Sequence, residues 1–120
     1  MKLIKQTKFL IAECDASRDR FFKMRELDAT PQFFEEVKPH ADKVHILLLE
    51  WKEQAYQWIR KHQPKYFHVQ QVDNVVDAMD QFVVQSFYKE TSKKRFIQSV
   101  QSVHYTLSTF LKYLEERNSE

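Results

Sequence analysis

Glycine is absent from the sequence. Two-residue hairpins and phosphate-cradling loops lean on glycine, so β meanders, P-loops and dinucleotide-binding turns are disfavoured, and helices tolerate the absence best. Cysteine occurs once, as Cys14. No internal disulfide can form, and a reducing compartment is expected. No apolar run approaches the roughly 20 residues of a membrane span, so no membrane association is expected. An excess of one charge is missing too: 19 Lys and Arg against 17 Asp and Glu leave a net charge of +2. The two signs are interleaved instead of gathered on a basic face, so nucleic acid is not the expected partner. Lys2, Lys5 and Lys8 precede a short apolar run, residues 9–12, that superficially resembles an export signal. The run is too short, and Glu13 stands before Cys14 where a small residue is needed. The expected location is cytoplasmic.

What is present is enough for a core. Hydrophobic residues make up 42% and charged residues 30% of 120 residues, the composition of one globular domain. A domain of this size buries roughly two thirds of its unfolded surface without help from a metal or disulfide. Residues 93–116 organise the rest. Phe96, Val100, Val103, Leu107, Phe110 and Leu114 alternate by four and three, one stripe of a helix that needs partner helices to cover it.

Three more stripes supply the partners. Residues 2–27 carry Leu3, Thr7, Leu10, Cys14, Ser17, Phe21 and Met24 at heptad-like spacing, with Cys14 a small buried residue at its centre. Residues 40–61 carry Val44, Leu48, Trp51, Ala55 and Trp58; residues 69–88 carry Val72, Val76, Met79, Val83 and Ser86. Between the first two helices, Thr30 is suited to cap a short helix with Pro31 at its first position, ended at Pro39. Phe33 and Phe34 in that connector are expected to lie covered on a bundle groove. Ile46 and Leu49 point away from their helix's stripe, towards those phenylalanines or a second subunit. Pro64 breaks the next connector and pushes Gln63 towards an extended conformation, with Tyr66 placed to plug the bundle end. Thr91 or Ser92 is the expected cap of the last helix. The expected fold is all-α: a single antiparallel up-and-down four-helix bundle with a left-handed twist.

Chemistry is harder to find. Di-metal bundles use paired Glu-x-x-His motifs, and the nearest match is one Asp42-x-x-His45. The five histidines are scattered. No nucleophile elbow or Cys–His signature occurs, and the acidic residues mostly fall between apolar positions. No metal or other cofactor is expected. Two features stand out. Lys89, Lys93, Lys94 and Arg95 crowd the start of the last helix, where the dipole already favours anions, and form a candidate anion-binding cluster. Tyr105 lies about 180° from the Val103/Leu107 stripe and, with Ile46 and Leu49, marks a candidate interaction surface.

The run Pro64-Lys65-Tyr66, then His68, Gln85-Ser86, Lys93-Lys94-Arg95-Phe96, Ser102-Val103 and Tyr105-Thr106-Leu107, resembles the YppE-like family of small proteins from Bacillus and its Firmicute relatives. Phe33-Phe34-Glu35, Lys38-Pro39, Trp51, Ala55 and Ile59 fit the same pattern, so the likeness spans about residues 33–112. His104 stands where an aliphatic residue is expected, and residues 69–71 differ somewhat. The resemblance implies a cytosolic four-helix up-and-down bundle with no established function or cofactor. The leading functional expectation is therefore a non-catalytic protein-interaction module, with an unknown protein partner or a second copy of itself. Polyanion binding at the basic start of the last helix is the alternative. A metal-assisted or small-ligand enzyme using His104 or the loop histidines comes third.

Overall fold

Each periodic stripe becomes one helix. In the computed structural model, which describes residues 1–118, α1 spans Lys2–Glu26, α2 Lys38–His62, α3 Val69–Gln85 and α4 Lys93–Asn118, with one π-helical turn at Phe33–Val37. Helices of 25 residues are roughly 37 Å long at 1.5 Å per residue, and the molecule's long axis is 49 Å.

Side-chain pairs give the register. Thr7 meets Trp51 and Glu13 meets His40, so α1 and α2 run antiparallel. His45 with Asp80, and Tyr56 with Asp73, set α2 against α3 in the same sense. Phe82 packs on Phe96 near the α3–α4 turn, while Asp15 with His104 and Phe21 with Phe96 run α4 back along α1. The helices thus pack in ring order, α1–α2–α3–α4, with α2 and α4 at opposite corners.

All six residues of the α4 stripe are buried. So are Leu3, Thr7, Leu10, Cys14, Ser17 and Phe21 of α1, while Met24 at the end of that stripe is only half-buried, and so are all the stripe residues expected on α2 and α3. Phe82 joins them from α3. Phe110 centres one end of the core, stacked on Phe67 at 4.2 Å and edge-on to Trp51 and Trp58. Trp51 Nε1 donates to Thr7 Oγ1 at 3.0 Å, and Thr7 Oγ1 donates to the Leu3 carbonyl at 2.8 Å. The indole is therefore buried without an orphan donor. Among the described residues no helix is long and apolar enough to cross a membrane.

The connectors depart from expectation. Thr30 and Pro31 do not begin a helix; the chain turns helical only after Gln32, whose N–H donates to Glu36 Oε2 at 2.6 Å. The wide turn at Phe33–Val37 then runs straight into α2, and Pro39 sits inside the first turn of that helix instead of ending the one before it. Proline's fixed φ suits a first helical turn. Val37 takes the buried position of the turn. Phe33 and Phe34 are left 47% and 77% exposed, packed edge-to-face on each other, not covered in a groove. At the other end Phe67, not the exposed Tyr66, plugs the bundle. α3 stops at Gln85, three residues early: Phe87 and Tyr88 donate to Val84 and Gln85 in tighter turns, and Thr91 Oγ1 covers the Gln85 carbonyl.

Lack of glycine shows at two helix ends. Gln63 terminates α2 in the left-handed region at φ 45°, ψ 56°, not extended, with its N–H on the Ile59 carbonyl. Asp28 follows α1 at φ 51°. Lys89 anchors Asp28, its Nζ 2.8 Å from the carboxylate; the contact holds the Asp28 carboxyl below, and the Lys89 ammonium above, their ordinary values.

Candidate functional site

Two places bring polar chemistry together, one inside the bundle and one on its flank. Inside, Glu13 is only 6% exposed. Helical spacing puts it there: it follows Leu10 by three and precedes Ser17 by four, so it shares the α1 stripe. Ser17 Oγ donates to Glu13 Oε2 at 2.9 Å, and Arg20 Nη1 lies 3.4 Å from the same oxygen. His40 Nε2 lies 3.0 and 3.1 Å from the two carboxylate oxygens, which assigns the proton to that nitrogen. Arg20 Nη2, 3.3 Å from His40 Nε2, is then packed beside it without a hydrogen bond, since both nitrogens are donors. Arg20 Nη1 donates to Ser86 Oγ at 2.8 Å, which donates to the Val83 carbonyl. The Phe87 ring covers both side chains, 4.6 Å from the Arg20 guanidinium carbon and 6.0 Å from the His40 ring. The network ties α1, α2 and the end of α3 together. Sequence reading passed over it, although the position of Glu13 on the stripe was a usable signal.

Cys14, next to Glu13 in sequence, is fully buried. Burial first, and then the Asp15 and Glu13 carboxylates, push its thiol up to about 12, which makes it a packing residue and not a nucleophile.

On the flank, α1 and α4 leave an open groove with a cavity of about 290 Å³. Its apolar lining comes from Ile97 and Val100, and Tyr105, 74% exposed, stands over it from α4. Arg18 and Asp15 line it from α1, Gln101 and His104 from α4. His104 Nε2 lies 3.5 Å from Asp15 Oδ1, and Ser108 Oγ 3.4 Å from His104 Nδ1. The order Asp15–His104–Ser108 imitates a nucleophile relay. The backbone N–H groups around it lie inside a helix, committed to the i→i−4 ladder, so the donors that could face an oxyanion there are side chains, Arg18 and Gln101.

The other anticipated residues are dispersed. Ile46 and Leu49 are exposed on α2, at the corner of the bundle opposite the α4 helix that carries Tyr105, so the three do not form one patch. In the basic cluster Lys89 is engaged by Asp28, and the Lys93 ammonium sits 5.6 Å from the Phe22 ring centroid. Lys94 and Arg95 remain exposed beside them. Each histidine has a neighbour of its own: His40 Glu13, His45 Asp80, His62 the Trp58 ring, His68 the Gln71 amide through its backbone N–H, and His104 Asp15. Among the described residues no three His, Cys, Asp or Glu side chains converge on a point that could hold a metal ion.

The profile of a bacterial domain of unknown function, DUF1798, matches residues 7–114. The uncharacterised protein YppE of Bacillus subtilis is 32% identical over 105 residues, which cover 88% of this chain and 85% of that one. The crystal structure of B. subtilis YppE superposes with a TM-score of 0.94 at 29% identity, covering 99% of this chain and 97% of the other. A protein of unknown function from Listeria innocua shares the fold with a TM-score of 0.94 at 22% identity, over 100% of this chain and 96% of its own.

Proposed function

Because the chain belongs to the DUF1798 family of bacterial domains of unknown function, its relatives supply a fold and no activity, and we propose from its own surface that it is a non-catalytic protein-interaction module binding through the α1/α4 groove. The observation that carries this reading is Tyr105, an aromatic left 74% exposed over a cavity with an apolar lining. Tyrosine is enriched at binding hot spots because a rigid ring brings much contact area and a hydroxyl at little entropic cost. Ile97 offers the apolar contact, with the buried Val100 behind it, and Gln101 and Ser108 a polar rim. The polyanion alternative is weaker, since Lys89 is already committed to Asp28.

The test is site-specific photo-crosslinking in the native host, with the photoreactive residue at position 101 in the groove and, as control, at position 46 on the opposite corner. A protein adduct at position 101 alone is expected. The captured protein, purified, should bind wild type at least tenfold more tightly than Tyr105→Asp. Equal adducts from both positions, or an affinity indifferent to Tyr105→Asp, would remove the groove from consideration.

A further inference from the structure

The two tryptophans of α2 occupy equivalent places and fare differently. Trp51 and Trp58 stand two helical turns apart on the same stripe, and both are buried. Trp51 Nε1 donates to Thr7 Oγ1 across the α1–α2 contact. Trp58 is 6% exposed, and its Nε1–H is buried with no acceptor among the described residues. The antiparallel register explains the difference. Two turns forward along α2 correspond to two turns back along α1, from Thr7 to the start of the helix, where Met1 and Lys2 carry no side-chain oxygen. The rings around Trp58, His62 at 4.7 Å and Phe110 at 5.5 Å, supply no oxygen either. A buried indole N–H without a partner is uncommon enough to need a cause.

Trp58 also lines a cavity of about 240 Å³ between the start of α1 and the last turns of α2. The other polar side chains there are Lys2, Gln54, Gln57, Lys61 and His62, with no carboxylate among them. Lys2 and Lys61 make no ion pair among the described residues. α1 opens at this cavity without a side-chain cap and without an acid in its first turn, so the positive end of its dipole is unopposed. The negative end of the α2 dipole is offset by Arg60, Lys61 and His62 in the last turn. Glu50 and Glu53 stand one turn behind Gln54 and Gln57 on α2, outside the lining, and Lys5 one turn on along α1. The acids that end α4 belong to the other flank of α1. Donors and positive charge meet here, and an acceptor is what they lack.

We infer that the α1/α2 end of the bundle binds a small oxyanion, a carboxylate or phosphate group that accepts from Trp58 Nε1 and is balanced by Lys2 and Lys61. The Gln54 and Gln57 amides can donate from the α2 side. The volume, below the roughly 300–1,000 Å³ of pockets for drug-sized molecules, suits a small anionic metabolite. This site lies on a different flank from the α1/α4 groove and does not rest on that reading.

The test follows the two indole N–H signals by nitrogen–proton correlation NMR, with Trp58→Phe identifying the Trp58 signal by its loss. Succinate, inorganic phosphate and, at matched ionic strength, sodium chloride are titrated in turn. At least one oxyanion is expected to move the Trp58 signal downfield and saturably, while Trp51, held by Thr7, stays in place and chloride has no such effect. Tighter succinate binding would assign a carboxylate ligand, tighter phosphate binding a phosphate ester. Lys61→Met, shown by circular dichroism to melt within a few degrees of wild type, should weaken the binding about tenfold, the loss of one charge-assisted contact. No saturable movement with either oxyanion, equal movement with chloride, or binding indifferent to Lys61→Met overturns the inference. So does a Trp58 signal that shifts in Gln6→Met, because Gln6 Oε1 is the other buried atom without a partner and would then be the indole's own acceptor.

Discussion

A buried carboxylate is tolerated only when its lone pairs are filled, and Glu13 shows how this bundle does it. Ser17 and His40 donate to it, and Arg20 balances its charge. Because Arg20 and His40 reach partly into solvent, the network is most vulnerable from the side that leaves Glu13 buried and short of donors. His40→Ala should therefore cost about 1–3 kcal/mol of stability in urea unfolding. Glu13→Gln, which keeps an acceptor and removes the charge, should cost less. A double-mutant cycle between the two positions should show coupling well beyond additivity; simple additivity would mean that His40 serves only as packing. The arrangement was half legible. Spacing alone places Glu13 on the α1 stripe, but nothing local to α1 announces that His40, 27 residues on, closes the cluster.

At the scale of the element, periodicity was a sufficient guide to the helices and a poor one to their ends. A stripe is repeated over many turns, so one aberrant residue does not hide it. A terminus rests on one or two residues whose backbone is chosen by what they touch. Thr30-Pro31 had the right chemistry for a helix start, yet the chain begins its turn at Gln32, with Glu36 reaching back to the Gln32 N–H. Pro64 argued for an extended Gln63, yet α2 closes with Gln63 left-handed and its N–H on Ile59. A left-handed conformation costs a residue with a Cβ about 1–2 kcal/mol that glycine escapes. Gln63→Gly should accordingly raise stability by about 1 kcal/mol, visible as a higher urea midpoint at unchanged slope. Asp28→Gly should gain less, because it also removes the carboxylate that Lys89 holds. A loss of stability in Gln63→Gly would show that its side chain contributes more than its backbone conformation costs.

For the whole molecule, the sharpest contrast lies along a single helix. Leu107 is fully buried and Tyr105, two residues earlier, faces out. Leu107→Asp forfeits about 2–3 kcal/mol of apolar burial and adds the cost of an unpaired buried carboxylate, so it should abolish the cooperative transition. Tyr105→Asp should leave the thermal midpoint within a few degrees. Thermal unfolding followed by circular dichroism compares the two, and similar losses would mean that Tyr105 supports the bundle instead of a partner. The burial of all six α4 stripe residues, with Tyr105 on the opposite side, follows from helical phase, a property of the local chain. All four helices, their buried faces and the all-α class are determined in that way, because hydrophobic period and the absence of glycine act residue by residue. Which helix each face meets is a different matter. The ring order puts Tyr105 and Ile46 at opposite corners, brings Asp15 to His104 and Glu13 to His40, and leaves Phe33 and Phe34 in solvent. Those outcomes depend on contacts between residues tens of positions apart, where the competition for a shared core, and not local spacing, decides.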